Sequence, residues 1–240
     1  MSRRIKLSFF NDMSTSNNSK IGTKQSKGAN TNNFTQSTTA RKPTAKSRGN
    51  AHSSISDGMT SASCDGSNYM SLASTETLAQ NSAYTVVMAW TNGDYTNDTW
   101  LVSGTSNSAH WGIKAGGGDV IFKADASKAA ERDYPIDSTA NSTTSYTFGS
   151  DVEMIAIVVD GTGIPTTANI YNIDGDKIAD AGAVNANGLN VAFPIDHIIG
   201  KSDGTLGLNG ELLDVSVRDV ALSADLIKGL GNKYKGLQDF

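Results

Sequence analysis

The chain has 240 residues, of which 38% are hydrophobic and 18% are charged, and its formal net charge at pH 7 is −4. This length suits one large β-domain or two small ones. The single cysteine, Cys64, excludes an internal disulfide framework, and one thiol with three scattered histidines forms no zinc pattern. No apolar run approaches the ~20 residues of a membrane-spanning helix, so no membrane partner is expected.

The charge is divided unevenly along the chain. Residues 1–63 hold ten Lys or Arg and two Asp, a net charge of +8, whereas residues 64–240 carry −12. The first segment is rich in Ser, Thr and Asn, and its large apolar residues are too sparse to form a core of their own. The composition predicts a basic, extended N-terminal arm over residues 1–63 and an acidic domain over residues 64–240.

The arm predicts an anchoring role. Its positive charge suits the acidic surface of another protein chain, which includes another copy of this one, so a homo-oligomer is expected. Nucleic acid is not favoured as a partner, because the basic residues are spread singly with little aromatic interleaving. The predicted anchoring residues are Arg3, Arg4, Lys6, Phe9, Phe10, Arg41 and Lys42.

From about residue 64 the pattern changes to short apolar or alternating runs, separated by clusters of Gly, Asn and Asp. This pattern is typical of an antiparallel β-sandwich. Turn chemistry predicts hairpins at AGGGD (115–119) and IDGDK (173–177). The predicted strands cover residues 69–73, 84–91, 99–105, 110–115, 119–125, 153–160, 167–174, 176–182, 197–202 and 210–220.

The closing stretch NGELLDVSVRDVALSADLIKGL (209–230) predicts a strand followed by a short helix. Ser223 is the predicted N-cap of this helix. Asp214 stands between apolar neighbours on the strand, so we expect it to accept hydrogen bonds from a nearby loop. The side chains expected to cover one open end of the sandwich are Leu222, Leu226 and Ile227.

Five segments stand in order along the chain: CDGSNYMSL (64–72), AYTVVMAWT (83–91), WGIKAGGGDVIFKA (111–124), EMIAIVVDG with ANIYNIDGDKIA (153–161 and 168–179), and HIIGKSDGTLGLNGELLDVSVRDVALSADLI (197–227). Together they resemble the laminin-G-like, concanavalin-type jelly roll. The resemblance implies an all-β, antiparallel two-sheet jelly-roll sandwich with a short C-terminal helix and a lectin-like function. It extends over residues 64–240 and does not include the arm, and Cys64 stands where the family commonly has an aromatic residue.

The resemblance also admits glucanases, which in their retaining form need two carboxylates ~5 Å apart. The glucanase pattern E-x-D-x-x-E is absent. Glu211 and Asp214 are three positions apart and so face opposite sides of a strand. Asp151 and Glu153 share a face but lack a third acid, and no G-x-S-x-G motif surrounds a serine. The sequence therefore predicts a protein that is not an enzyme.

Glycan binding remains open, because such sites combine an exposed aromatic ring with Asn, Asp and Gly loops that bind hydroxyl groups. The loops TNGDYTNDTW (91–100) and ERDYPIDS (131–138) have this composition. The candidate glycan-binding residues are Asn92, Asp94, Tyr95, Asp98 and Tyr134. Members of the family often hold calcium through loop carboxylates, and no other cofactor is expected. The candidate calcium ligands are Asp65, Asp94 and Asp203.

The apolar patch at residues 7–10 is shorter than the ~7–15 residues of a secretion signal, so we expect no export signal. A phage particle reconciles this with a lectin-like domain, because its proteins are made in the host cytoplasm and released by lysis. We therefore expect a non-enzymatic virion protein, a capsid decoration or cement subunit whose arm docks on capsid or other virion proteins. The alternative is a glycan-binding adhesin of a tail or head fibre that contacts host surface glycans. The lesser alternative is a polysaccharide-cleaving glycoside hydrolase.

Overall fold

The structure is a computed structural model, and it describes residues 5–8, 23–24, 33–47, 60–79, 82–104, 110–113, 119–123, 132–135, 148, 151–161, 168–180, 193–201 and 203–236. These residues form strands, a short 3₁₀ turn at Thr39–Arg41 and one α-helix, α1 (Ala224–Lys235). In chain order the strands are β1 (Ile5–Ser8), β2 (Thr23–Lys24), β3 (Phe34–Thr35), β4 (Thr44–Ser47), β5 (Thr60–Asp65), β6 (Met70–Leu78), β7 (Ala83–Asp94), β8 (Thr99–Ser103), β9 (His110–Ile113), β10 (Asp119–Lys123), β11 (Arg132–Pro135), β12 (Glu153–Asp160), β13 (Ala168–Tyr171), β14 (Lys177–Asp180), β15 (Phe193–Ile198) and β16 (Asn209–Arg218).

The strands form two eight-stranded antiparallel sheets. Sheet A has the order β14-β13-β12-β7-β16-β5-β4, and β1 also pairs with β16. Sheet B has the order β11-β10-β9-β8-β15-β6-β3-β2. The predicted all-β, two-sheet jelly-roll sandwich with a short C-terminal helix is confirmed. Within the described ranges, no helix has the length and apolar character needed to cross a membrane.

The main hydrophobic core lies between the two sheets. Trp90 and Ile157 of sheet A belong to the same buried cluster as Met70 and Trp111 of sheet B. Trp90 and Trp111 are both fully buried, and aromatic side chains of this size contribute strongly to the burial of apolar surface. The inward-facing side chains of the two sheets therefore meet in one core.

A second core covers the outer face of sheet A, and α1 packs there. On β7, Met88 belongs to the inner core whereas Val87 and Ala89 belong to the outer one. Because β7 and β12 are apolar on both faces, their outer faces need a cover, and α1 with the segment before it supplies one. We expected Leu222, Leu226 and Ile227 to cap an open end of the sandwich; instead they pack against this outer face.

Parts of residues 1–63 belong to the two sheets. β3 pairs with β6 in sheet B, and β4 pairs with β5 in sheet A. Phe34 and Ala45 have no exposed surface, so each short strand adds one apolar side chain to the inner core while its backbone pairs with a sheet. The predicted boundary between residues 63 and 64 falls inside β5.

The predicted anchoring residues fall in several places. Lys6 lies within β1, which pairs with the C-terminal part of β16. Arg41 ends the 3₁₀ turn, and Lys42 follows it. Of these three, Arg41 has side-chain hydrogen bonds to the rest of the sandwich, to the carbonyl oxygens of Ser67 and Gly204. The predicted residues Arg3, Arg4, Phe9 and Phe10 lie outside the described residues.

Candidate functional site

Three polar side chains stand next to one another at one end of sheet A. Asp65 ends β5, Asp94 ends β7, and Asn209 begins β16. Because β16 lies between β5 and β7, Asn209 is the cross-strand neighbour of both aspartates. The amide of Asn209 donates a hydrogen bond from Nδ2 to Oδ2 of Asp94 over 2.9 Å. The antiparallel register thus joins side chains that are far apart in the sequence.

Each of the two aspartates is held by a tight turn. Oδ1 of Asp65 accepts hydrogen bonds from the backbone N (3.0 Å) and Oγ (2.7 Å) of Ser67. Oδ1 of Asp94 accepts hydrogen bonds from the backbone N (3.0 Å) and Oγ1 (2.7 Å) of Thr96. Such turns fix the direction of a carboxylate through local bonds alone. The two carboxylates are therefore preorganised.

These turns border an open cleft with a volume of about 340 Å³. Small-molecule sites in proteins have volumes of about 300–1,000 Å³. The cleft is therefore large enough for one or two sugar units. Its walls come from the turn after β5, the loop after β7 and the segment that leads into β16. The polar side chains among the described lining residues include Asp65, Ser67, Asp94, Asn97, Asp98 and Asn209.

The cleft is acidic. Among its described lining residues there are three aspartates and no Lys, Arg or His. Hydrogen bonds from the Thr96 hydroxyl and backbone hold the pKa of Asp94 below its usual value, so this carboxylate is ionised at neutral pH. A cleft with this charge attracts hydroxyl donors and cations and repels carboxylates and phosphates.

Tyr95, the predicted stacking residue, turns toward the core. Trp90 donates a hydrogen bond from Nε1 to the Tyr95 hydroxyl over 2.5 Å, and the Tyr95 ring lies 6.1 Å from that of Phe148. Burial raises the pKa of the Tyr95 hydroxyl. The side chain is only partly buried and packs against the inner core, so it supports the loop after β7 from beneath.

The other predicted glycan-binding residues are divided between two regions. Asp94 and Asp98 both line the cleft, and Asn97 of the same loop lines it with them. Asn92 lies within β7, two residues before Asp94. Tyr134 lies in β11 at the edge of sheet B, opposite Val120 of β10. The loop after β7 therefore supplies the part of the prediction that the structure brings together.

The candidate calcium ligands do not form one cluster. Asp65 and Asp94 line the cleft, whereas Asp203 lies on a separate turn, where its Oδ1 accepts hydrogen bonds from Thr205 N (2.9 Å) and Oγ1 (2.6 Å). In the part of the chain that the structure describes, no group of three or more His, Cys, Asp and Glu side chains is arranged to hold a metal ion. Calcium binding therefore stays a prediction.

The acids considered as catalytic pairs make contacts within the fold. Oε2 of Glu211 accepts a hydrogen bond from Ser61 Oγ over 2.8 Å. Oδ2 of Asp214 accepts one from the Tyr234 hydroxyl, so its partner is a helix residue and not the loop we expected. Glu153 is buried in β12. None of these three acids is among the described residues that line the cleft.

Sequence reasoning missed Asn209 and Ser67 as members of this site. The repeated pattern Asp-x-Ser/Thr at Asp65–Ser67, Asp94–Thr96 and Asp203–Thr205 is a signal for the turns that shape it. The position of Asn209 depends on strand order, because only the pairing of β16 between β5 and β7 brings it to both aspartates.

No protein-family model matches the sequence, and comparison with curated proteins finds no match either. Solved structures match the fold. The binding domain of Paraclostridial Mosquitocidal Protein 1 is similar with a TM-score of 0.61 and 15% sequence identity, covering 96% of this chain and 52% of that one. The binding domain of botulinum neurotoxin DC in complex with SialylT is similar with a TM-score of 0.50 and 11% identity, covering 97% and 52%.

A third similar structure is the CBM40 domain of the Ruminococcus gnavus IT-sialidase bound to α2,3 sialyllactose. Its TM-score is 0.47 and its identity is 15%, and the match covers 64% of this chain and 84% of that one. The chain spans about half the length of the two toxin domains. At these identities the likeness to the toxin domains concerns the fold alone, which is that of a β-sandwich.

Proposed function

We propose that this protein is a non-enzymatic, glycan-binding, lectin-like module, and that the cleft beside Asp65, Asp94 and Asn209 is its binding site. The observation that carries the proposal is the convergence of three strand ends, which places preorganised oxygen and nitrogen atoms on the wall of one open cleft. Groups held in place before binding cost little ordering entropy when a ligand arrives.

The chemistry of the lining suits a polyhydroxylated ligand. Carboxylate oxygens accept hydrogen bonds from sugar hydroxyls, and amides such as those of Asn97 and Asn209 both donate and accept. Glu211, Asp214 and Glu153, which were considered as catalytic acids, lie outside the described lining, which favours binding over catalysis. Similarity of the fold to binding domains of bacterial toxins agrees with this proposal.

The proposed ligand is a neutral glycan. Three aspartates and the absence of a basic side chain among the described lining residues disfavour a sialylated or uronic acid sugar. A bound cation would reverse this preference, because it would bridge the carboxylates to an anionic group. The predicted calcium dependence and the charge of the glycan are therefore linked.

A glycan array tests the proposal with the full chain, once in calcium on the order of 1 mM and once in EDTA. We expect signals from neutral oligosaccharides in both conditions and none from sialyllactose. Signals from sialyllactose only with calcium would show that a metal ion occupies the cleft. A blank array in both conditions, with the protein shown to be folded by circular dichroism, would contradict glycan binding.

Placement on a phage virion remains a second proposal. Its support is the charge division, because the +8 segment suits an acidic protein surface and six of its ten basic residues precede residue 33. The test is a chain that begins at Asn33, which keeps β3, β4 and Arg41. We expect this chain to fold and to be lost from purified particles, whereas the full chain remains with them. Equal retention of both chains would contradict an anchoring role.

A further inference from the structure

A short N-terminal segment, residues 33–47, crosses from one sheet to the other. It leaves sheet B at β3, passes through the 3₁₀ turn, and enters sheet A at β4. Gln36 donates from Nε2 to the carbonyl oxygen of Tyr69 over 3.1 Å, and the backbone N of Tyr69 donates to the carbonyl oxygen of Arg41. We call residues 33–47 the strap, and it lies against the chain that follows the turn of Asp65.

Arg41 joins the strap to two walls of the cleft. Its Nη1 donates hydrogen bonds to the carbonyl oxygens of Ser67 (3.2 Å) and Gly204 (3.0 Å). Ser67 lines the cleft. Gly204 belongs to the turn that leads into Leu206 and Gly207, which also line the cleft. One guanidinium group therefore bonds to both walls.

The fit around Gly204 is close. Its φ of +73° is in the left-handed region that favours glycine, and a Cβ atom at this position would lie 2.4 Å from Arg41 Nη1. The same walls are joined by backbone bonds, from Gly66 N to Leu208 O and from Gly207 N to Gly66 O, each 3.0 Å long. The guanidinium group adds a charge-assisted pair of bonds to this network, and such bonds are stronger than neutral ones.

We infer that Arg41 is a positioning residue for the cleft: it holds the turn of Asp65 and the turn of Gly204 at the separation that ligand binding requires. This inference rests on the proposed glycan-binding function. It also assigns Arg41 to the binding site of its own chain, although the sequence predicted that it anchors the protein to another.

The test compares Arg41→Ala and Arg41→Lys with the full-length wild type. Lys235→Ala is the matched control, because it removes one positive charge and a single exposed ion pair with Asp174. Affinity is measured by calorimetry for lactose, maltotriose and cellotriose, with sialyllactose as the anionic comparison. Arg41→Ala is expected to weaken binding by tenfold or more, which corresponds to the loss of one charge-assisted hydrogen bond. Arg41→Lys should retain an intermediate affinity, and Lys235→Ala should bind as the wild type.

Hydrogen exchange on the same proteins separates positioning from a general loss of stability. The amides of Gly66, Gly207 and Leu208 should exchange faster in Arg41→Ala, while the amides of α1 keep the rates of the wild type. Gly204→Ala should also speed exchange at these amides, because its Cβ displaces the guanidinium group and alanine is strained at this positive φ. The Gly204→Ala variant retains the Arg41 side chain, so it provides a second test if Arg41→Ala does not fold.

The outcomes are distinct. If the wild type binds none of the sugars, the proposed function fails, and the exchange rates alone decide whether Arg41 positions the cleft. If the wild type binds a sugar and Arg41→Ala binds it equally well, the inference is overturned and the proposed function stands. Unchanged exchange at Gly66 and Gly207 in both variants overturns the inference as well.

Discussion

The hydroxyl group of Tyr234 in α1 donates a hydrogen bond of 2.5 Å to Oδ2 of Asp214 in β16, and both side chains are buried. This bond joins the helix at the end of the chain to a central strand of sheet A. Burial raises the pKa of Asp214 above its usual value of 3.8, although the Tyr234 bond opposes the shift. A buried carboxyl group of this kind is more easily kept neutral than charged.

Removal of the Tyr234 hydroxyl should destabilise the protein. Tyr234→Phe leaves Oδ2 of a buried carboxyl group without its donor, which costs about 1–3 kcal/mol of the free energy of unfolding. Urea denaturation at pH 7 measures the change. Tyr171→Phe serves as the comparison, since Tyr171 is only partly buried beside the same outer core, and it should change stability by less. Equal losses in the two variants would argue against a special role for the Tyr234–Asp214 bond.

Asp214→Asn should make stability less dependent on pH. Because the pKa of Asp214 is higher in the folded state, the folded state binds its proton more tightly, and the stability from this group is lost as pH rises from 3.8 through the raised value. Asparagine keeps an acceptor for Tyr234 and carries no charge. We therefore expect the stability of the variant relative to the wild type to improve between pH 4 and pH 7. Urea titrations at both values test this, and a constant difference would show that Asp214 has no raised pKa.

Two glycines of α1 should respond oppositely to alanine. A Cβ atom at Gly231 would lie 1.7 Å from the carbonyl oxygen of Ile173, because the helix lies against the turn between β13 and β14 there. Gly231→Ala should destabilise the protein by about 1–3 kcal/mol or more. A Cβ atom at Gly229 would meet no atom of the described residues within 4 Å apart from its own helix backbone, so Gly229→Ala should stabilise the protein by up to about 1 kcal/mol through helix propensity. Thermal unfolding of the pair measures both signs, and a stable Gly231→Ala would show that the helix packs less closely.

Thr85 should be essential for docking the segment before α1. Its Oγ1 donates to the carbonyl oxygen of Val220 (2.7 Å) and accepts from the backbone N of Leu222 (3.0 Å). Thr85→Val removes both bonds from a fully buried site and should cost about 1–3 kcal/mol. Thr75→Val, at an exposed position of β6, is the control and should leave stability nearly unchanged. Chemical denaturation of both variants provides the comparison.

Two aspartates with the same local turn should differ in glycan binding. Asp94 and Asp203 each accept bonds from the backbone and hydroxyl of a threonine two residues later, but only Asp94 lines the cleft and bonds to Asn209. Asp94→Asn should weaken binding of a neutral oligosaccharide several-fold. Asp203→Asn should bind it as the wild type does. Calorimetry with the sugar that gives the strongest array signal measures both, and equal affinities would place the site elsewhere.

The strands of the sandwich are largely predictable from the sequence because their apolar residues follow a clear pattern. The prediction of a strand at 153–160 agrees with β12 residue for residue, and IDGDK at 173–177 connects β13 to β14 and ends on the first residue of β14. Oδ1 of Asn172 accepts bonds from two backbone N–H groups of this turn. Ser223 is the N-cap residue of α1, as predicted, although its side chain makes no capping bond. The predicted turn at 115–119 lies mostly outside the described residues.

The short strands before residue 60 were not predicted because their stability comes from the sheets they join. A two-residue strand such as β3 has no periodicity to recognise, and only Phe34 marks it in the sequence. The outer core was missed for a different reason. The continuous apolar run of β12 is the signal of a strand covered on both faces, but such a run does not show which element covers the second face.

The candidate site was only half predictable. Asp94 and Asp98 stand in a polar loop whose composition points to binding, and the structure places both on the cleft. Tyr95 stands in the same loop, but the direction of its ring depends on two core residues. Trp90 is near in the sequence and buried, and Phe148 is distant in the sequence. Composition identifies a polar loop, whereas orientation depends on what lies under the loop.

The position of β16 has a consequence for biosynthesis. This strand pairs with β7, β5 and β1, so three strands share one partner that is made after all of them. Until residue 218 leaves the ribosome, each of them exposes an unpaired edge to solvent and to neighbouring nascent chains. Sheet A therefore closes late, and α1 then covers the newly formed outer face. A chain whose translation stops before β16 would be a substrate for chaperones and aggregation, not a smaller folded domain.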